Sequence, residues 1–221
     1  MLRESNGTAQ TRRVGVRGSA EGWLAGAYHN LVEAGIDAVR ISPLSEQLNL
    51  SRTSFYWFFK DRDALLAALI DRWREKNTRN FVGRAAAYAE TIGEATFNVF
   101  DCWFDADLFD SKFEFAIRNW AQQSADVRTE VNRADTARID ALKSMFIRFD
   151  YSPISSDVRA RTLYLTQVGY ISMKTKEDLP TRMARVPQYV EIFTGRTPPK
   201  RETERFFSRH GYSPKVAKSV V

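Results

Sequence analysis

The sequence predicts an all-α protein, and three observations lead to this fold class. Apolar residues recur at three- and four-residue spacing along most of the chain, and sustained alternation of apolar and polar residues is absent. Glycine and proline are sparse, with 11 and 7 residues among 221, and most prolines fall between the periodic segments. The 15 Phe, 8 Tyr and 5 Trp supply enough apolar surface for a large core, which excludes a wholly disordered chain.

The periodic segments divide the chain into successive elements and two domains. A length of 221 residues suits two domains, so we expect an N-terminal helical domain over 19–80 and a larger helical domain over 81–194. One long segment, 82–105, is expected to break near Gly93. The predicted helices span 19–34, 42–48, 52–58, 62–80, 82–105, 109–123, 125–149, 155–176 and 181–193.

The positive charge of the chain lies in its two ends. The net charge is +6, with residues 1–18 contributing +3 and residues 195–221 contributing +5. The span between them is therefore slightly acidic, and bulk attraction to nucleic acid is a weak argument here. We expect a flexible basic leader at 1–18 and a polar, mobile tail at 195–221. The leader arginines Arg12, Arg13 and Arg17 fit an unstructured segment better than an arm lying along DNA.

Several protein classes are excluded by composition. The polar N-terminus does not resemble a signal peptide, and no run approaches the roughly 20 apolar residues that a membrane span needs. The single cysteine, Cys102, excludes an internal disulfide and a zinc site with several thiolates. We therefore expect a cytoplasmic protein that contacts no membrane, with no metal and no cofactor.

The segment 41–66 carries a helix-turn-helix pattern, which begins with a short helix and a turn. Ser42 is a suitable N-cap, and Pro43 then occupies the first helical position, where its missing N–H costs nothing. The small side chain of Ser45 permits a second helix to cross closely. Asn49 tolerates the left-handed conformation that a tight turn between two helices needs. These residues predict a short helix followed by a three-residue turn.

The second helix of the pattern begins after Ser51, which is a suitable N-cap. Phe55 and Phe58 are expected to be buried, since they lie three residues apart on one face. A short aromatic helix is often simply part of a core, but the opposite face here carries side chains suited to base edges and phosphates. Those residues are Arg52, Thr53, Ser54, Tyr56 and Trp57.

The segment 20–69 resembles the DNA-binding domain of the TetR family of bacterial transcription regulators. The resemblance rests on Leu-Ser-Glu-Gln-Leu at 44–48, on the run from Leu50 to Phe59, and on Lys-Asp-Arg-Asp-Ala-Leu-Leu at 60–66. Three positions depart from the family pattern: Ser45 replaces the usual Ala, Asn49 the usual Gly, and Thr53 a frequent Gly or Pro. All three residues are small or compatible with a turn, so they bear on the DNA sequence read and not on the fold.

The resemblance implies roles for individual residues. Tyr56 matches a tyrosine that contacts phosphate, and Arg62 matches a basic residue that contacts phosphate from the start of the fourth helix. Asp61 can cap that helix, whose N-terminal N–H groups also favour an anion. A surface ion pair is the alternative for Arg62. The DNA-contacting set so implied is Ser51, Arg52, Thr53, Ser54, Tyr56, Trp57, Lys60 and Arg62, with Arg52 the best candidate for a bidentate contact to guanine.

The larger domain resembles the regulatory domain of the same family in the number and length of its helices. Segment 162–173 is apolar nearly all round, which one core face does not require. We therefore expect 155–176 and 181–193 to form a homodimer interface, as the last two helices of the family do. The residues expected in the interface are Leu165, Val168, Gly169 and Ser172.

Aromatic residues gather in the first helices of the larger domain. They fit either plain core or the wall of a pocket for a small apolar or amphipathic effector. Plain core is the better interpretation for any one of them taken singly. The pocket hypothesis names Phe100, Trp103, Phe104, Phe113 and Trp120.

The function that the resemblance implies is a dimeric DNA-binding transcription regulator. In this family a three-helix DNA-binding domain is joined by a linking helix to a ligand-binding and dimerisation domain, and the protein is usually a repressor of its operator. A helical interaction protein without DNA binding is the alternative. An enzyme is less favoured, because the sequence carries no Gly-rich phosphate loop, no G-x-S-x-G motif and no metal triad.

Overall fold

A computed structural model describes residues 18–213, and this part of the chain is helical with no β-strand. The all-α prediction is thereby confirmed. Its helices are α1 (Ala20–Ala34), α2 (Ile41–Gln47), α3 (Arg52–Phe55), α4 (Arg62–Trp73), α5 (Asn80–Ala86), α6 (Ile92–Phe104), α7 (Ser111–Trp120), α8 (Ala125–Arg148), α9 (Pro153–Ser172), α10 (Leu179–Thr194) and α11 (Lys200–Arg209). None of them combines the length and apolar composition needed to cross a bilayer.

Helices α1–α4 form a small N-terminal unit, residues 18–73, which we call the reading head. Its centre is formed by Trp23, Leu44 and Phe55, all fully buried. Helix α1 crosses α2 closely at Gly26, where a Cβ atom would lie 2.8 Å from Leu44 Cδ1. A glycine at that position lets the two helices approach and brings α2 and α3 onto one side of α1.

A long, bent helix connects the reading head to the remaining residues, 80–213, which we call the body. Helix α4 continues through a π-helical turn, Arg74–Arg79, directly into α5. The expected helix end at 80 is wrong, because the π turn extends the helix to Ala86. The break predicted near Gly93 is confirmed at 87–91, where Thr91 Oγ1 accepts from Glu94 N at 3.0 Å and starts α6.

The apolar interior is divided into two clusters. The head core joins the centre of the reading head to α7 and to the first half of α8, as far as Ala134. The body core joins α5, α6, α9, α10 and α11 to the second half of α8, from Leu142 onward. Helix α8 therefore contributes one half of its buried face to each core.

The prediction of a mobile tail at 195–221 is wrong for the described part of that segment. Helix α11 lies on α6 with Phe206 and Phe207 buried, and the Phe206 ring stacks on Phe97 at 4.9 Å between centroids. Two aromatic residues bury enough apolar surface to hold a helix whose other residues are mostly charged. Residues 1–17, including Arg12, Arg13 and Arg17, and residues 214–221 lie outside the described residues.

Candidate nucleic-acid interface

Two features that precede or begin helix α3 fix its position: the turn at Asn49 and the N-cap at Ser51. Asn49 adopts a positive φ of 52°, as the turn between two short helices requires. Ser51 Oγ accepts from Ser54 N at 3.2 Å, and Ser54 Oγ donates to Ser51 O at 2.8 Å. The cap at Ser51 is confirmed, and it fixes the direction in which the exposed Arg52 and Thr53 leave the helix.

Helix α2 begins earlier than the sequence predicts. Its N-cap is Arg40, whose carbonyl accepts from Leu44 N at 3.1 Å, so the expected cap at Ser42 is wrong. Pro43 is still tolerated, because no N–H of the first turn needs an acceptor within the helix. The Ser42 hydroxyl instead accepts from Arg52 Nη1 at 3.4 Å and holds the guanidinium beside the start of α2.

The aromatic residues at the end of α3 and just after it differ from the prediction in which side chains are buried. Phe55 is fully buried, but Phe58 is 40% exposed, so its assignment to the core is wrong. The helix ends at Phe55 in a tighter turn, in which Phe58 N donates to Phe55 O at 3.0 Å. Phe59 then packs on Phe55, with ring centroids 5.6 Å apart. Tyr56 and Trp57, the two residues before Phe58, are also exposed.

Arg62 has a structural role that the sequence did not indicate. Its Nε donates to Val39 O at 2.6 Å and its Nη2 to Ile36 O at 3.1 Å, which braces the 3-10 turn Ile36–Ala38 against α4. The expected alternative, an ion pair with an acidic neighbour, is not formed within residues 18–213. Asp61 caps α4 as predicted, since its Oδ1 accepts from Ala64 N at 2.8 Å.

The exposed surface of α3 and the following turn therefore combines cations, hydroxyl groups and aromatic rings. Lys60 lies exposed at its end, and Arg52 and Thr53 lie at its beginning. Such a mixture suits phosphate oxygens and base edges in a major groove. The structure brings together all the residues predicted for this surface except Arg62, whose guanidinium is directed at the 3-10 turn.

The residues predicted for the effector pocket fall into two places. Phe100, Trp103 and Phe104 line a cavity of about 40 Å³ between α6, α9 and α10. Phe113 and Trp120 belong to the head core, because α7 turns its apolar face toward the reading head. Grouping these two with the cavity residues is therefore wrong.

The polar wall of this cavity comes from helices that are distant in sequence. Tyr170 and Tyr189 share a hydrogen bond of 2.7 Å between their hydroxyl groups. Arg182 lies over the Phe104 ring, 4.3 Å from its centroid, and donates to Trp103 O at 3.0 Å. Burial lowers the pKa of Arg182. Sequence reasoning missed these residues, because no local spacing links α6 to α9 and α10.

The residues predicted for the dimer interface lie along one stretch of α9. Leu165 and Ser172 are exposed, and Val168 and Gly169 are half-buried. Further exposed aliphatic side chains extend this surface, namely Ile154 and Val158 on α9 and Ile192 on α10. The last three line a groove of about 400 Å³ between the two helices.

Comparison with known proteins finds a family match within the reading head. Residues 24–69 match the family model described as bacterial regulatory proteins, tetR family. Comparison with curated proteins finds no match.

Three solved structures are similar to most of the chain. One is a putative TetR-family transcriptional regulator from Mesorhizobium loti, with 11% identity over 86% of this chain and 95% of that one and a TM-score of 0.54. A transcriptional regulator from Rhodococcus sp. Rha1 has 14% identity, 89% and 100% coverage and a TM-score of 0.54. AmtR from Mycobacterium smegmatis has 14% identity, 93% and 100% coverage and a TM-score of 0.53. At this identity the likeness shows the fold.

Proposed function

We propose that this chain, whose residues 24–69 match the tetR family of bacterial regulatory proteins, is a homodimeric DNA-binding repressor whose operator affinity is controlled by a small molecule. The observation that carries the proposal is the surface of α3 and the turn after it. This surface exposes Arg52, Thr53, Tyr56 and Lys60 while Phe55 anchors the helix in the head core. A helix anchored in this way can enter a major groove.

The proposed DNA contacts follow from side-chain chemistry. Arg52 reads a guanine, because its guanidinium can donate two hydrogen bonds to guanine O6 and N7. Tyr56 and Lys60 contact phosphate, which orients the helix on the duplex. Arg62 retains Nη1 for a phosphate, since its two hydrogen bonds to the 3-10 turn use Nε and Nη2.

Dimer formation is supported by the exposed aliphatic side chains of α9 and α10. Leu165, Val158 and Ile192 would each gain stability on removal from water. A self-complementary interface of this kind gives a two-fold dimer. Its two reading heads would bind half-sites separated by one helical turn, about 34 Å, or by a multiple of it.

Selection of operators from random DNA tests the proposed dimer and the proposed role of Arg52. We expect paired, inverted half-sites, and replacement of Arg52 with Ala should weaken binding by about 1–3 kcal/mol and relax the preference at one base position. Arg201→Ala, which removes an exposed cation from α11, is the matched control and should leave the base preference unchanged. A single unpaired half-site would contradict the dimer, and an unchanged preference in Arg52→Ala would contradict the assignment of that residue.

Control by a small molecule is supported by the aromatic cavity between α6, α9 and α10. A volume of about 40 Å³ holds one or two water molecules, so a bound effector must widen the cavity by displacing its lining side chains or helices. Binding would then shift the population between states with different operator affinity. A panel of aromatic metabolites, tested for release of the operator complex, should contain compounds that act on the wild type and fail on Phe104→Ala. Release of both proteins alike would contradict this location.

A further inference from the structure

Two carboxylates, Asp110 at the N-cap of α7 and Glu114 within α7, join the reading head to the body. Glu114 is fully buried and accepts five hydrogen bonds. Three come from arginines of the body: Arg118 Nε at 3.0 Å, and Arg138 Nη1 and Nη2 at 2.8 and 3.2 Å. The other two come from the connecting helix, from Trp73 Nε1 at 2.7 Å and Asn77 Nδ2 at 3.0 Å. Glu114 Oε1 therefore accepts from Arg118 and Arg138 of the body. Glu114 Oε2 accepts from Arg138 and from the two head-side donors.

The charge on Glu114 is stable. Burial by itself raises the pKa of this carboxyl group, but Arg138 and Arg118 outweigh it and lower the pKa to about 2. The head-side donors thus face a fixed negative charge, and hydrogen bonds to a charged group are shorter and stronger than neutral ones.

Asp110 makes the second connection, one turn before Glu114. Its Oδ1 caps α7 by accepting from Phe113 N at 2.9 Å, and its Oδ2 accepts from the Tyr28 hydroxyl of α1 at 2.6 Å. Its backbone N–H donates to Asn77 Oδ1 at 2.9 Å, and its carbonyl accepts from Asn77 Nδ2 at 3.0 Å. The start of α7 is therefore tied to α1 and to the connecting helix at the same time.

The π-helical turn presents two neighbouring residues to this network. Asn77 bonds to Asp110 and Glu114, and Thr78 Oγ1 accepts from Arg138 Nη2 at 2.8 Å. A π turn adds one residue to the local repeat, which changes the register of the side chains that follow. The π turn thus determines which side chains of the connecting helix face α7 and α8.

Apart from α7 and the buried side chains Val127, Val131 and Ala134 of α8, the head and the body are separated by open clefts. A cleft of about 820 Å³ lies on one side of α4 and one of about 600 Å³ on the other, and both are bounded by α8. Arg74 reaches across to Glu130 at 3.1 Å, where both side chains are partly solvated. Such a pair contributes little on its own, so the orientation of the head depends on its contacts with α7 and the first half of α8.

We propose that Asp110 and Glu114 are positioning residues that set the orientation of the reading head and thereby the half-site spacing that the dimer accepts. Hydrogen bonds to the buried Glu114 and the half-buried Asp110 lose strength steeply with distance and angle, whereas apolar contacts permit sliding. Loss of a head-side donor therefore lets the head rotate and broadens the accepted spacing. The inference rests on the proposed function, since it requires a dimer that binds two half-sites.

The experiment compares operators that share the selected half-sites and differ in spacer length. Tyr28→Phe and Trp73→Phe each remove one head-side donor, while the two carboxylates remain. Tyr151→Phe is the matched control, because its half-buried hydroxyl donates to Thr194 O at 2.5 Å entirely within the body. We expect the affinity ratio between the best spacer and one longer by about one base pair to fall by about fivefold in Tyr28→Phe, and to stay unchanged in Tyr151→Phe.

The outcomes separate this inference from the proposed function. If the wild type selects no paired operator, the proposed function fails before spacing can be compared. If the wild type has a preferred spacing and both Tyr28→Phe and Trp73→Phe retain the same ratio, the positioning role is overturned. Broadening in the two head-side variants with unchanged half-site sequences supports it, since a general loss of stability would weaken all spacers alike.

Discussion

The head core and the body core are built from different kinds of neighbours. The head core combines short helices close in sequence, α1–α4, with α7 and the first half of α8. The body core combines long helices with α11, which follows α6 by nearly a hundred residues. A boundary at residue 80 therefore divides the sequence but not the packing, because α7 lies after residue 80 and packs in the head core.

A polar layer lies between the two cores. The Arg138 guanidinium is fully buried, 5.2 Å from the Trp73 ring of the head core and 5.5 Å from the Phe109 ring of the body core. Its charge is balanced by Glu114 at 2.8 Å. Two apolar cores in direct contact could merge or slide, but a buried ion pair must keep its geometry to remain stable. Paired charges therefore specify how the two cores meet, whereas the burial of apolar side chains holds each core together.

The largest predicted effect comes from breaking this ion pair. Glu114→Gln keeps the shape of the side chain but leaves Arg138 without its carboxylate, and should lower the free energy of unfolding by about 3–5 kcal/mol. Urea denaturation followed by tryptophan fluorescence measures the change. The double variant Glu114→Leu, Arg138→Met removes both charges and should recover most of the loss. If Glu114→Gln stays within about 1 kcal/mol of wild type, the junction is not specified by this pair.

A smaller effect is expected from pH. The pKa of Glu114 is lowered from 4.5 to about 2 in the folded protein, so its contribution to stability is complete above pH 4.5 and is lost as the pH falls toward 2. As the pH falls through this window, the unfolding free energy of the wild type should therefore decrease relative to that of the double variant. Other carboxyl groups, such as Asp157 and Asp178, titrate alike in both proteins and cancel. A difference that stays constant down to pH 2.5, roughly one half-unit above the folded pKa, would argue against an ionised Glu114.

The reading head was predictable from the sequence because its signals are local. The caps at Ser51 and Asp61 and the positive φ of Asn49 each depend on residues within four positions, and all three were predicted correctly. The errors at Ser42 and Phe58 concern where a short helix begins or ends. A helix of one or two turns has few periodic positions, so its ends are weakly specified by pattern.

The cavity and the junction could be predicted only in part. Phe100, Trp103 and Phe104 share one helix, so their clustering was visible in the sequence. Arg182 and the two tyrosines that complete the wall come from helices more than sixty residues later, and Glu114 and Arg138 looked like ordinary helical charges. Nothing in a local window distinguishes a buried ion pair from a solvated one, since both have the same residue types and spacing.

By itself the sequence determined the helical class, the helix-turn-helix and the residues that α3 exposes, because helix periodicity, capping and turn chemistry act over a few residues. Only the tertiary structure decided that Arg62 braces a turn, that α11 is part of the body core, and that Glu114 and Arg138 lie between two cores. These outcomes depend on which surfaces meet after the helices form. Burial then decides whether a charged side chain is solvated or must find a partner of opposite charge.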